Sequence, residues 1–297
     1  MATVSTVIVD EDKKIRNRRA FVALIKSVGT KWIITVVLFM IAVAALYPLL
    51  FTVLNSFKSS PEYARNPLSL PGHLSIQNYR ETFSRMNVPR LFMNSAIVTI
   101  GGILLTTICA LLLAYAVTKI KFRGSNLIFL FVIAMLVIPS QAIIYPLYET
   151  ILQMGFGGTY QGLILAMAAF GLPLGTYQLA AYFKTIPDEL VEAARMDGAG
   201  HFRILFSVLL PIATPAIAAL SILNFVWMWN DLLLPLVIMG GSDKTTLMVG
   251  IALLSGQYDI SIPLISAGLL VALLPVLLVY LVFQRRILSG AMAGSIR

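Results

Sequence analysis

The sequence predicts an all-α integral membrane protein with six transmembrane helices, and three observations carry that prediction. Of its 297 residues 59% are hydrophobic and only 12% charged, against roughly a quarter charged in an ordinary soluble domain. Six runs hold no Asp, Glu, Lys or Arg, at 32–54, 91–118, 124–148, 150–183, 204–230 and 260–284. Each is longer than the roughly 20 residues that cross about 30 Å of hydrocarbon as a helix. Lipid offers backbone N–H and C=O groups no partners, so such runs must be helical. If the chain starts inside, sixteen of its 22 Lys and Arg face the cytoplasm and six the outside (Lys58, Arg65, Arg80, Arg85, Arg90, Lys244). The positive-inside rule then puts both termini in the cytoplasm.

Residues 1–31 are polar, carry seven Lys and Arg and show no apolar period, so they read as a cytoplasmic tail free to touch anionic headgroups. The first apolar run begins only at Trp32 and is longer than the roughly 7–15 residues of a signal core, so 32–54 reads as a retained first span. Pro48 sits where it could kink that helix, and Ser59, Ser60 and Pro61 read as its stop. Residues 55–90 form an external segment, with Pro61, Pro67, Pro71 and Pro89 arguing for irregular structure and "NPLSLPGHLSIQNY" its least helical part.

Residues 91–286 read as a five-helix core. Its second span contains Cys109, the single cysteine, which excludes an intrachain disulfide and a cysteine metal site. Lys119, Lys121 and Arg123 mark the return to the cytoplasm, and the third span follows over 124–148. The run from 150 opens as a Gly-rich loop (Gly155, Gly157, Gly158), with the fourth span starting near Tyr160. After a polar loop at 184–205 comes the fifth span. The stretch "LLLPLVIMGGSDKTTLMVGIALLSGQYDIS" is apolar but divided by Pro235 and the pair Gly240, Gly241; residues 247–254 read as an amphipathic turn at the outer surface. A seventh span there would put the C-terminal arginines outside. Residues 287–297 form a cytoplasmic tail.

Topology accounts for most of the net charge of +9, so no nucleic-acid partner is expected. The phosphate loop G-x-x-x-x-G-K-[ST], G-x-G-x-x-G, H-E-x-x-H and G-x-S-x-G are all missing, and His73 and His201 fall on opposite sides of the membrane. No nucleotide site, metal site or catalytic residue is expected in this chain.

The polar loop holds "ELVEAARMDGAG". Thr185 with Asp188 fits a capping box, and Pro187 fits a first turn, so a helix is predicted from about Ile186. Leu190, Ala193 and Ala194 fall at i, i+3, i+4 as a small apolar face, and Gly198 after Asp197 suits a left-handed exit. Two readings fit these residue types: a plain connector between spans, or a rigid knob on which a soluble partner docks.

The wider stretch "EAARMDGAGHFRILFSVLLPIATP" resembles the cytoplasmic signature loop of bacterial ABC importer permeases, which reads E-A-A, three residues, G, then I-x-L-P. Here those positions are Glu192, Ala193, Ala194, Asp197-Gly198 and Leu210-Pro211, with Val208 where Ile is usual. "IPSQAIIYPLYETILQMGFGGTYQGLIL", "WMWNDLLLPL", "FQRRILSGAMAG", "LNSFK" and "MNSAIVT" are similar to the carbohydrate branch, on the side of the second permease subunit of the maltose importer. The tail "GSIR" departs from the family's usual G-A-V-K-G ending.

The resemblance implies a type I ABC importer permease fold. It also implies a complex with a second homologous permease, two ATPase subunits that bind the ATP and Mg, and an extracytoplasmic solute-binding protein. Glu192, Ala193, Ala194, Asp197, Gly198 and Pro211 would couple the spans to the ATPases, driving alternating access. The loop from Met239 to Asp243 is similar in position to an external loop that reaches the binding protein.

For the solute path, Trp227, Asn230 and Asp231 fall at i, i+3, i+4, a ring with two polar groups that suits a sugar. The same residues fit an interfacial aromatic belt. Gln141, Tyr145 and Tyr148 in the third span are further candidates. A non-sugar solute such as glycerol phosphate or a polyamine is the alternative within the family; an ion-coupled carrier finds little support beyond Asp231, and a membrane enzyme finds no reactive cluster.

Overall fold

The structure, a computed structural model, describes residues 31–254 and 261–293, with side chains as far as residue 283. The basic tail before residue 31, the "GSIR" terminus and residues 255–260 lie outside the described residues. Among the described residues every regular element is helical.

Helix α1 runs from Lys31 to Ser56 through Pro48, and no part of its most apolar window is buried against the rest of the chain. Ser59 is not part of its stop: it caps α2 (Ser60–Arg65), accepting from Glu62 N–H, with Pro61 in the first turn, where a missing N–H costs nothing. Residues 66–76 are irregular, within the part read as least helical, and α3 (Gln77–Arg85) follows, so the external segment holds two short helices around an irregular middle. Lys58, with no exposed surface, fastens this segment by donating to the carbonyls of Asn66 (3.2 Å) and Pro67 (2.9 Å). Asn78 Nδ2 adds bonds to the carbonyls of Ser56 (2.7 Å) and Lys58 (2.8 Å).

Helix α4 (Val88–Tyr115) passes directly into a π turn, Ala116–Ile120, closed by Lys121 in the left-handed conformation at φ 53°. The predicted third span is not one helix. It is α5 (Ser125–Ala134) with a 3-10 turn, then α6 (Ser140–Gln153), bent by 109°. Ile138 precedes Pro139, whose ring forces it out of the helical region, to φ −79°, ψ 117°. Five single helices are therefore long and apolar enough to cross a membrane, and the bent pair supplies the sixth crossing if taken as one.

Thr159 caps α7 (Tyr160–Thr185), its hydroxyl accepting from Gly162 N–H at 3.2 Å. Gly171 and Gly175, four residues apart, let α7 lie close along α4: a Cβ at 171 would fall 2.9 Å from Thr106, and one at 175 would fall 3.0 Å from the Ala110 Cβ. Small residues at such spacing drive packing where lipid removes the hydrophobic contrast. After α8 (Asp188–Met196) the chain enters α9 (His201–Arg203), a second π turn (Ile204–Leu209) and α10 (Leu210–Asn230). Pro211 explains that turn: it cannot donate to residue 207, and Leu210 N–H bonds instead to Leu205 O, five residues back.

Helices α4, α7 and α10 form the centre. Helix α13 (Ile262–Ala293) flanks α10, fixed where Trp229 Nε1 donates to Ala272 O at 3.0 Å. The stretch between α10 and α13 folds into α11 (Leu233–Ile238) and α12 (Leu247–Ala252). Helix α12 is not a surface amphipathic turn, since Leu247, Val249 and Ile251 are buried between α4 and α13.

Candidate functional site

At one end of the bundle α8 stands clear of the spans on two clamps. Its keel is Val191, buried in a cluster with Phe183, Ile186, Ile204, Leu205 and Leu209. Its start is held by the end of α4. Lys119 Nζ, its side chain only 3% exposed, donates to Asp188 Oδ1 and to Ile186 O, both at 2.6 Å, while Lys121 Nζ reaches Asp188 Oδ2 at 2.8 Å. Burial of an ammonium is tolerable only with such partners. Hydrogen bonds from Lys119 and Lys121 hold the Asp188 carboxyl at about 2, below the usual 3.8. A third tie joins Tyr115 Oη and His201 Nδ1 at 3.1 Å.

The predicted capping box does not form. Thr185 is the last residue of α7, where its hydroxyl bonds Tyr182 O at 2.7 Å, and Pro187 precedes a helix that starts at Asp188 without a side-chain cap. The acids Asp188 and Glu189 in the first turn suit the helix dipole. The exit is sharply defined: Ala199 N–H donates to Ala194 O and Gly198 N–H to Arg195 O, both at 2.9 Å, with Gly198 at φ 76°. This is the paired-bond ending that a left-handed residue makes possible.

Of the predicted coupling residues, Glu192, Ala193, Asp197 and Gly198 are exposed on α8 and its exit, and Ala194 is half-buried. Pro211 is exposed too, but in the first turn of α10, separated from α8 by the π turn. Leu190 and Ala193 of the predicted apolar face point outward, Val191 having taken the inward position. Beside them Met196 is 88% exposed and Phe202 74%. What results is a small apolar platform that the chain itself leaves uncovered. The sequence reading gave Lys119 and Lys121 a role in topology only; their clamp on Asp188 spans 67 positions of chain or more, which periodicity cannot signal.

The predicted solute-path residues are not gathered into one place. Helix α10 ends at Asn230, so Asp231 leaves the helical line at ψ 128° and does not continue the face of Trp227. Asp231 Oδ1 accepts from Leu233 N–H at 3.0 Å, turning the chain into α11, while its Oδ2 is buried without a hydrogen-bond partner. Asn230 turns back on Val226 O at 2.7 Å, and Trp227 is partly exposed. Gln141 and Tyr145 lie exposed on α6, whose main neighbours are α11 and α7 rather than α10, and Tyr148 packs against the core.

The Met239–Asp243 loop is pinned, not free. Met239 is fully buried, Asn94 Nδ2 donates to Thr245 O at 2.9 Å, and Arg90 meets Asp243 at 3.2 Å across a cleft of about 490 Å³. Among the described residues no group of three or more His, Cys, Asp or Glu could hold a metal ion.

A family model described as binding-protein-dependent transport system inner membrane component matches residues 102–289. The chain is 37% identical over 258 residues to the diacetylchitobiose uptake system permease protein NgcG of Streptomyces coelicolor, covering 86% of this chain and 85% of that one. It is 32% identical over 267 residues to the probable starch degradation products transport system permease protein AmyC of Thermoanaerobacterium thermosulfurigenes, covering 90% of this chain and 97% of that one. In structure it is similar to a chain of a bacterial ABC transporter involved in the import of the acidic polysaccharide alginate. The TM-score is 0.72 at 23% identity, over 84% of this chain and 94% of that one, a likeness of fold.

Proposed function

The chain belongs to the family of binding-protein-dependent transport system inner membrane components, and on that footing we propose that it is a permease subunit importing a sugar or oligosaccharide at the expense of ATP hydrolysed by partner chains. The observation that carries the coupling half is α8. A short helix clamped by Lys119 and Lys121, with Leu190, Ala193, Met196 and Phe202 outward, suits docking into a partner. The clamps tie α8 to the π turn that continues α4 and to the π turn that leads into α10, so a push on it would be passed to two central helices as rigid bodies.

The assignment of sides follows the charge asymmetry, with α8 and both termini cytoplasmic. ATP and Mg would bind the two ATPase subunits; a second homologous permease would complete the passage, and an extracytoplasmic binding protein would deliver the solute. The carbohydrate half rests on relatives named for diacetylchitobiose uptake and for starch degradation products. Gln141, Tyr145, Trp227, Asn230 and Asp231 are the side chains offered to the solute path.

The test is to purify the chain with its copurifying ATPase and binding protein, reconstitute the complex in proteoliposomes, and measure ATP-dependent uptake. The panel is diacetylchitobiose, maltotriose, glycerol phosphate and putrescine. Uptake of one of the sugars is expected. Uptake of glycerol phosphate or putrescine alone would overturn the carbohydrate reading, and absence of any ATPase partner would overturn the coupling reading.

A further inference from the structure

Among the described residues Glu149 is the single carboxylate carried by the helices of the candidate membrane spans. In the sequence it looks like the gap between two uncharged runs, whereas the structure sets it inside α6. That helix has two faces. Ile144, Leu147, Tyr148 and Ile151 pack onto the core. To one side of them Gln141, Tyr145 and Glu149, at i, i+4 and i+8, are all exposed. A carboxylate is strongly disfavoured against hydrocarbon, so this face meets water or protein.

An independent observation concerns the elbow before α6. The backbone is non-helical at Ile138 and Pro139, and Val137 beside it is 84% exposed, so the chain does not cover its own break. Irregular backbone at membrane depth persists only where it is buried in protein or lines a water-filled cavity. Elbow and polar stripe lie on consecutive segments of the bent helix pair and ask for the same environment.

We propose that the Gln141, Tyr145 and Glu149 face of α6 is a carbohydrate contact on the solute path. The Glu149 carboxylate accepts hydrogen bonds from sugar hydroxyls, the Tyr145 ring offers a flat surface to a pyranose face, and the Gln141 amide extends the polar edge. This rests on the permease reading above and deepens it by naming where a neutral sugar is recognised; a carboxylate at that place repels a phosphorylated solute.

The experiment uses the reconstituted complex and the sugar that wild type takes up from the panel. Glu149→Gln is isosteric. It should raise the half-saturating concentration for uptake about tenfold or more, the scale of losing charge-assisted hydrogen bonds. Monodeoxy analogues that wild type discriminates against should lose that penalty in Glu149→Gln, and Glu149→Asp should retain it. In a Cys109→Ser background, Glu149→Cys should react with a membrane-impermeant thiol reagent, and the sugar should slow the reaction. Wild-type uptake and discrimination in Glu149→Gln overturns the proposal, as does an unreactive or sugar-insensitive cysteine. A wild type that carries none of the sugars instead overturns the carbohydrate reading itself, before any variant is made.

Discussion

Replacing Gly198 by valine isolates the exit of α8. Gly198 stands at φ 76°, and a Cβ built there meets no atom within 4 Å, so the perturbation is conformational rather than steric. A left-handed residue other than glycine costs about 1–2 kcal/mol, with a β-branched side chain at the upper end. The alternative is to open the exit and lose the Ala199–Ala194 and Gly198–Arg195 bonds, each worth about 1 kcal/mol. Both routes converge on about 2 kcal/mol, more than tenfold in population. Because His201, three residues on, is tied to Tyr115, a redirected exit breaks the tie between α9 and α4. The assay is ATP hydrolysis by the reconstituted complex with and without loaded binding protein. Stimulation should fall about tenfold in Gly198→Val, less in Gly198→Ala, and least in Gly198→Asn, which tolerates this conformation best. Membrane yield should not change. Full stimulation in Gly198→Val refutes the reasoning; equal losses in all three variants show that the glycine serves a contact rather than a backbone angle.

Asp188→Asn should loosen α8. Removing one partner of a buried pair costs about 3–5 kcal/mol, but Asp188 is half exposed, so about 1–2 kcal/mol is expected, read as faster proteolysis within the 184–205 loop. The folded carboxyl at about 2 lies below its usual 3.8, so the clamp's contribution is complete above about pH 4 and is lost as pH falls through about 2; proteolysis should be flat between about pH 5 and pH 8. Gly171→Ala should destabilise by about 1–3 kcal/mol, since its Cβ would press on Thr106. Adding Thr106→Ala should restore thermal stability, because the Thr106 hydroxyl has no hydrogen-bond partner to lose. Asp231→Asn keeps the acceptor for Leu233 N–H. If Asp231 meets solute, uptake falls in both Asp231→Asn and Asp231→Ala with basal ATP hydrolysis intact; if it only turns the chain, Asp231→Ala alone is impaired.

Much of the fold was legible because membrane burial is a local constraint. The starts of α7 at Tyr160 and the left-handed Gly198 follow from neighbouring residues alone. The elbow at Pro139 was missed because an uncharged run reads as continuous whether or not its helix bends. The same treatment concealed Glu149, which a charge-free window must exclude by construction. Thr185 satisfied a capping pattern, yet α7 held it first, since a long packed helix outweighs one side-chain bond.

By itself, then, the sequence determined that this chain is a bundle of membrane helices and where α8 stops, since each is set by the solvent preference or backbone freedom of residues close together in the chain. Only the tertiary structure decided that Lys119 and Lys121 clamp Asp188, that Val191 rather than Leu190 faces inward, and that Gln141, Tyr145 and Glu149 share an open face. These depend on which helices approach one another and at what rotation. That is fixed by close contacts such as Gly171 on Thr106, between residues 65 positions apart, which no local pattern records.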